Sequence, residues 1–285
     1  MPPLKYLITF LLALIPAAVW VSVFIRKHKL NPWMVFFTFV GGILAAQLIL
    51  LYKGNWDQTI NFLFFELNLI DFRSSISSLF TDAVWGGLFV FLGIAMMEEF
   101  SKFIIMRSLN KNHFRSIDDV IGLAIVSALG FSFYENMVYF NAQWGSLAGG
   151  DYALFVISRI TIVTMVHMLS SGVLGYYFGL AHFASPVLRL QHKEKKRHPI
   201  TDFIKSILYM RSSDVFRDEM MAIGLILAIT LHAAYNFILS SLIDFSPIIV
   251  AIILALYFFG GYALLTYLIK KKESRVEMGL IMDEV

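Results

Sequence analysis

Residues 83–106 read AVWGGLFVFLGIAMMEEFSKFIIM, an apolar stretch that is interrupted near its end by Glu98, Glu99 and Lys102. The stretch is longer than the roughly 20 apolar residues that an α-helix needs to cross the hydrocarbon core of a bilayer. Ionisable side chains are costly in hydrocarbon, so three of them in one apolar segment indicate a functional site. The segment therefore predicts a membrane-spanning helix that also carries chemistry.

The rest of the chain has the composition of a membrane protein. Of its 285 residues, 58% are hydrophobic and only 15% are charged, and the mean hydropathy is +0.72. Soluble domains carry about 25% charged residues, so this composition excludes an ordinary soluble protein and a disordered one. The sequence contains no cysteine, which excludes disulfides, thiolate metal ligands and a cysteine nucleophile. We expect a lipid bilayer as a partner and no nucleic acid.

Seven segments are long enough to cross a bilayer: 4–25, 33–52, 83–106, 118–141, 152–183, 220–241 and 248–269. Lys and Arg are distributed unevenly around them, because 18 of the 23 follow the first, third, fifth and seventh segments. Lys5, Lys53 and Arg73 fall on the opposite side, and the remaining two lie inside spans. The positive-inside rule makes the basic side the cytoplasm. The sequence predicts an all-α integral membrane protein with its N-terminus outside and its C-terminus cytoplasmic.

A single domain is expected over residues 1–285, because no internal repeat or low-complexity linker is evident. Its predicted parts are a core at about 80–241, accessory helices at 4–52 and 248–269, and a basic cytoplasmic loop at 184–219. Within that loop, apolar residues recur with a helical period between Ile200 and Leu208, which predicts a helix lying on the membrane surface. For residues 60–80 the sequence leaves a re-entrant and an interfacial segment open.

Polar residues inside the predicted spans are confined to four consecutive helices. They are Glu98, Glu99 and Lys102 in the third span, Glu135 and Asn136 in the fourth, Arg159 and His167 in the fifth, and His232 and Asn236 in the sixth. This distribution predicts one polar cavity walled by the third to sixth helices. Three carboxylates with two histidines indicate a catalytic or proton-handling site, since a single stabilising ion pair needs fewer groups.

Helical spacing predicts how some of these side chains face one another. Lys102 follows Glu98 by four residues and Glu99 by three, so one ammonium is expected to hold both carboxylates ionised. Consecutive residues point about 100° apart, so only one of the two glutamates can point directly at the cavity centre. Arg159 lies near the start of its span, where it could either snorkel to the surface or pair with Glu135.

These residue types can activate water for hydrolysis. A glutamate base takes a proton from water, and His and Asn donors stabilise the oxyanion that forms on the attacked carbonyl. The same residues could instead ligate zinc. His167 and His232 come from different helices, so a compact three-ligand set is not evident and the metal-free scheme is favoured. A serine mechanism at Ser170 or Ser171 stays open, although it leaves the glutamates without a role.

Four motifs resemble those of the PrsW intramembrane proteases. The sequence from Glu98 to Lys102 is similar to the E-E-x-x-K motif of that family, and Phe131 to Asn136 is similar to its F-x-x-x-E-N motif. His167 to Gly175 is similar to H-x7-G, and His232 supplies the final histidine. The order and the helix placement agree over about residues 80–240. The family belongs to a wider group with the CAAX prenyl endopeptidases and the CPBP membrane proteins, in which H-x-x-x-N has a counterpart.

The resemblance implies a helix bundle with a conical cavity, placed in the cytoplasmic membrane of a bacterium. It also implies hydrolysis of a peptide bond in a membrane-anchored, anti-sigma-factor-like protein. The family has been described both as metallopeptidase and as glutamic-type, so no cofactor is favoured here and zinc stays open. The related prenyl endopeptidases have a histidine where this chain has Glu135, which suggests that Glu135 orients a partner.

The resemblance and the residue chemistry together give each side chain an expected role. Glu98 is the expected base, as the first glutamate of its motif, and Glu99 and Lys102 set its charge and orientation. His167 is the expected second water-activating group, while His232 and Asn236 stabilise the oxyanion. Glu135, Asn136 and Arg159 support them. The alternatives left open are a proton-coupled transporter, a bis-histidine haem protein and a non-proteolytic binding protein.

Overall fold

The computed structural model describes residues 2–28, 30–55, 59–62, 65–68, 71–193, 198–208, 211–241 and 247–273. The basic residues at 195–197 and beyond 273, which contribute to the predicted orientation, lie outside the described residues. Almost all of the described chain is helical, which confirms the all-α prediction. The elements in chain order are α1 (Pro2–His28), α2 (Pro32–Gly54), β1 (Thr59–Phe62), β2 (Phe65–Asn68), α3 (Phe72–Ser77), α4 (Ala83–Asn110), α5 (Ile117–Gln143), α6 (Gly149–Ser158), a π-helical turn (Arg159–Val163), α7 (Thr164–His182), α8 (Ala184–Lys193), α9 (Pro199–Leu208), α10 (Ser212–Ser241) and α11 (Pro247–Glu273).

Six of the predicted spans correspond to helices that are long and apolar enough to cross a membrane. They are Pro3–Val23, Pro32–Gly54, Ile117–Gln143, Gly149–His182, Ser212–Ser240 and Ala251–Leu268. The remaining predicted span is α4, which has 28 residues and a length of about 42 Å at 1.5 Å per residue. It is not one of the six, so the number of crossings stays a prediction.

The long helices alternate in direction through the bundle. Asn110 of α4 bonds Thr38 near the start of α2, while Lys53 at the end of α2 contacts Glu98 in the middle of α4. These two helices are therefore antiparallel, and the contacts of α5 with α7 and of α7 with α10 give the same relation for those pairs. Alternation brings the described parts of the four basic segments to one end of the bundle. Which side of the membrane that end faces stays a prediction.

Helix α5 lies at the centre of the bundle, where glycines allow its neighbours to approach closely. Every residue from Val120 to Phe133 is buried. A Cβ atom on Gly130 would lie 2.1 Å from the carbonyl oxygen of Phe39, and one on Gly42 would lie 2.1 Å from that of Ser127. Because these neighbours are backbone atoms, α2 and α5 are fixed at a separation that admits no side chain at either position.

The segment left open at 60–80 contains a hairpin and a short helix. Strands β1 and β2 pair antiparallel, with Thr59 opposite Asn68 and Phe62 opposite Phe65. Helix α3 follows, and the Asp71 carboxylate accepts hydrogen bonds from two backbone amides of its first turn. In the basic loop, α9 confirms the predicted helix, and its Phe203 side chain is exposed. The location of α9 at the membrane surface stays a prediction.

Candidate active site

The predicted site residues converge in the middle of the bundle around a cavity of about 500 Å³. Its walls come from α4, α5, the π-turn, α7 and α10, as expected for the third to sixth spans, and also from Lys53 of α2, which was not expected there. Six of the nine predicted residues line it: Glu98, Glu135, Arg159, His167, His232 and Asn236. The other three lie behind the cavity wall and bond to residues on it: Glu99, Lys102 and Asn136.

Each of the three buried carboxylates has its own cation. The pairs are Lys53 with Glu98 at 2.6 Å, Lys102 with Glu99 at 2.5 Å and Arg159 with Glu135 at 3.1 Å. The prediction that Lys102 holds both glutamates is therefore wrong. Adjacent glutamates diverge around the helix, and the cation for Glu98 comes from α2 instead. The three positive and three negative charges of this cluster balance.

Glu99 is surrounded by hydrogen-bond donors. Its Oε1 accepts from Lys102 Nζ at 2.5 Å, from Ser170 Oγ at 2.9 Å and from His232 Nδ1 at 2.7 Å. Its Oε2 accepts from Ser171 Oγ at 3.0 Å. The two hydroxyls that the sequence offered as nucleophiles are donors to Glu99 in the structure. These contacts hold Glu99 behind the cavity wall with its charge compensated.

Glu98 is held at one oxygen only. Oε1 accepts from Lys53, whereas Oε2 is buried without a hydrogen-bond partner among the residues that the structure describes. His232 Nε2 lies 3.5 Å from Oε2. Glu98 also lines the cavity, and Glu99 does not. Of the two adjacent glutamates, one faces the cavity and the other does not, as the 100° offset between consecutive residues predicts.

The two histidines have different freedom. Lys102 Nζ lies 3.2 Å from His167 Nδ1, and an ammonium can only donate, so this nitrogen is the acceptor. His167 Nε2 then donates to Glu135 Oε2 at 3.1 Å, and both ring nitrogens are occupied. His232 donates from Nδ1 to Glu99, which leaves Nε2 facing the free oxygen of Glu98. Neither nitrogen of His167 is free to take a proton from water in this arrangement.

Arg159 pairs with Glu135 and does not snorkel. Its Nη2 donates to Glu135 Oε2, its Nε donates to Asn136 Oδ1 at 2.9 Å, and its guanidinium carbon lies 4.0 Å from the Tyr139 ring centroid. Arg159 begins the π-helical turn, whose backbone is tied to α7 by a hydrogen bond from the Thr164 hydroxyl to the Arg159 carbonyl. Such turns often occur at functional sites, and nothing in the sequence pattern indicated this one.

Asn236 and Lys53 complete the polar part of the cavity. Asn236 lies one turn beyond His232 on α10, and its side chain makes no hydrogen bond to another described residue. The sequence predicts that Lys53 lies in an outer loop, because the predicted second span ends at residue 52. Helix α2 continues to Gly54, and a lysine side chain is long enough to return its charge to the bundle. The length of the lysine side chain is therefore the sequence feature that could have indicated a place for Lys53 at the site.

The family described as PrsW family intramembrane metalloprotease matches residues 31–262. This chain belongs to that family. It is accordingly a multi-pass membrane protein of a protease family, as its four motifs indicated. The match includes α2 and most of α11, so it is wider than the predicted core at about 80–241. No curated protein and no solved structure gave a significant match.

The description of the PrsW family implies a metal ion, for which the candidate ligands are Glu98, His167 and His232. One ligand atom from each lies within 4.8 Å of the others. The expectation that no compact set exists is therefore wrong, because α7 and α10 bring the two imidazole rings to a centroid separation of 4.9 Å. The donor chemistry does not fit, however. Zinc needs a free lone pair from each histidine, and both nitrogens of His167 are already bonded to protein groups.

Proposed function

We propose that this PrsW-family chain is a glutamic-type intramembrane endopeptidase that cleaves a membrane-anchored, anti-sigma-factor-like protein. One observation carries the proposal: Glu98 Oε2 is buried, lacks a hydrogen-bond partner among the described residues and lies on the cavity wall. A buried acceptor without a donor is costly, so this oxygen is suited to receive one from a bound water.

The proposed reaction begins with a water between Glu98 Oε2 and His232 Nε2, which both accept hydrogen bonds. Glu98 takes a proton as the water oxygen attacks the carbonyl carbon of the scissile peptide. Asn236, whose amide is free of described partners, donates to the oxyanion. Glu98 then returns the proton to the leaving nitrogen as the carbon–nitrogen bond breaks. His232 Nε2 accepts a hydrogen bond from the attacking water and, in this tautomer, does not donate to the oxyanion.

The remaining polar residues hold this arrangement in place. Glu99 fixes His232 through Nδ1, and Lys102 compensates the charge of Glu99. His167 links Lys102 to Glu135, which in turn is held by Arg159. We therefore assign His167 a linking role in place of water activation. Second-layer contacts of this kind orient the reacting groups of enzyme sites.

The position of the cavity supports a substrate that enters from one membrane face. Its lining extends from Glu98 to Lys53, Tyr139 and Ser240, which lie towards the ends of α2, α5 and α10. By the alternation of the helices, this is the end opposite the basic segments. With the predicted orientation, the cleaved bond belongs to the outer part of the substrate's membrane segment.

The test uses the purified full-length chain and internally quenched peptides that each contain an apolar segment of about 20 residues. We expect the wild type to cleave some of them and Glu98→Gln to lower kcat on the order of 10²–10⁴-fold. Thermal unfolding of Glu98→Gln should stay near that of the wild type. Asp218→Asn, which removes an exposed carboxylate on α10, is the matched control. Wild-type turnover by Glu98→Gln would exclude Glu98 as the base.

A further inference from the structure

Lys53 brings to the cavity a charged group that none of the four motifs contains. It is the penultimate residue of α2, and its Nζ donates to Glu98 Oε1 at 2.6 Å with the side chain 18% exposed. The opposite oxygen of the same carboxylate has no described hydrogen-bond partner and faces His232. The carboxylate is thus held at one end by a different helix and left open at the other.

The packing of α2 against α4 determines where the ammonium of Lys53 lies. The Thr38–Asn110 hydrogen bond, at 2.8 Å, joins the two helices near one end. From that bond, Lys53 lies fifteen residues along α2 and Glu98 lies twelve back along α4, about 22 and 18 Å at 1.5 Å per residue. Side chains tilt towards the N-terminus of their helix, so Lys53 reaches back across the difference.

Close contact between the two helices stabilises this register. A Cβ atom on Gly41 would lie 2.4 Å from Cγ2 of Ile105, and on the neighbouring residue Gly42 it would meet the backbone of α5. Helix α2 is therefore held on two sides, between its N-terminal hydrogen bond and its C-terminal ion pair. The charge that Lys53 presents to Glu98 is positioned by packed helices and does not depend on the hairpin that follows.

We propose that Lys53 is a positioning residue for Glu98, a role that rests on the proposed function of this cavity. The ammonium holds Oε1, supplies the counter-charge that Lys102 does not give to Glu98, and thereby turns Oε2 towards the water site beside His232. Without it, the Glu98 side chain can rotate away from the reacting geometry. Misplacement of a reacting group by about 1 Å can lower a rate by roughly 10²-fold.

The experiment compares Lys53→Met and Lys53→Arg with the wild type, on a peptide that the wild type cleaves. Lys53→Met should lower kcat by about 10- to 100-fold and leave KM within about threefold of the wild-type value. Lys53→Arg, which keeps a cation in reach, should retain at least about a third of kcat. The control is Arg73→Met, which removes an exposed positive charge in α3 and should change neither parameter.

Two results would overturn the role of Lys53 while leaving the protease assignment intact. One is a kcat of Lys53→Met close to that of the wild type, and the other is a loss in Lys53→Arg as large as that in Lys53→Met. A thermal-unfolding cycle of Lys53→Met, Glu98→Gln and the double variant tests the ion pair without any activity. Coupling in that cycle, with no peptide cleaved by the wild type, would refute the proposed function and leave the pair established. Should Lys53→Met not fold, Lys53→Gln replaces it in both measurements.

Discussion

The two halves of the buried site differ in how completely their hydrogen bonds are satisfied. Behind the cavity wall, Glu99 receives donors from Lys102, Ser170, Ser171 and His232. On the wall, one residue earlier in the chain, Glu98 receives a hydrogen bond from Lys53 and from no other side chain among the described residues. A fully bonded carboxylate is stabilised and rigid, whereas one with a free buried oxygen retains the capacity to bind a water. Two adjacent, chemically identical residues thus have different roles, one in holding the structure and one in the proposed chemistry.

The largest expected effect is a loss of stability when Glu99, the carboxylate with its hydrogen bonds satisfied, loses its cation. The Glu99 side chain is 0% exposed, so Lys102→Met would leave it as a buried charge without its cation. Removing one partner of a buried ion pair destabilises a protein by about 3–5 kcal/mol. We expect this loss in thermal or denaturant unfolding measured in detergent.

The matched variant for this comparison is Lys53→Met, because it removes the cation of the other glutamate. This variant leaves Glu98 unpaired, but Glu98 lines the cavity, where water can compensate part of the lost interaction, whereas Glu99 lies behind the cavity wall. The unfolding of Lys53→Met should change much less than that of Lys102→Met, although its turnover falls. Equal destabilisation by the two variants would contradict the distinction between the two halves.

Much of this site could be predicted from the sequence, because ionisable residues inside apolar spans are conspicuous. Each of the nine predicted residues lines the cavity or bonds to a residue that lines it. The 100° offset between consecutive residues also predicted that only one of the two adjacent glutamates faces the cavity. The identity of the partner of Glu98 could not be predicted. Lys53 lies on a helix without other charged residues in its span, and only the packing of α2 on α4 brings it to the site.

Two other features depended on tertiary structure. The π-helical turn at Arg159 arises within an apolar segment whose sequence has an ordinary helical appearance. The short distance between His167 and His232 follows from the close approach of α7 and α10, where a Cβ atom on Gly224 would lie 2.8 Å from Cβ of Tyr177. The spacing of residues along one helix predicts which side chains share a face of that helix, but it does not predict how closely two helices approach each other.

An effect smaller than that of Lys102→Met, and on turnover instead of stability, is expected from Asn236, which lines the cavity beside Glu98. If its amide donates to the oxyanion, Asn236→Ala should lower kcat on the order of 10²–10³-fold. Stability should change little, because the side chain makes no hydrogen bond to another described residue. The control is Asn141→Ala, since Asn141 bonds Thr9 between α5 and α1 away from the cavity. A loss of less than about threefold in Asn236→Ala would remove Asn236 from the mechanism.

The smallest effect is expected from metal removal. This experiment tests whether the free oxygen of Glu98 binds a water or a zinc ion. Glu98 and His232 have free atoms that a metal could use, but His167 is bonded through both nitrogens to Lys102 and Glu135. A third protein ligand would require His167 to give up its hydrogen bond to one of these buried charged groups, which costs free energy even though Lys102 keeps Glu99 and Glu135 keeps Arg159 as partners. Prolonged dialysis against a chelator should therefore leave peptide cleavage unchanged, and metal analysis of the active protein should find far less than one zinc per chain.

Cleavage that is lost on chelation and restored by zinc, together with stoichiometric zinc, would show that His167 rearranges to bind metal. The protease family assignment would be unaffected, but Glu98 would then act as a ligand and the unpaired oxygen would be a metal site.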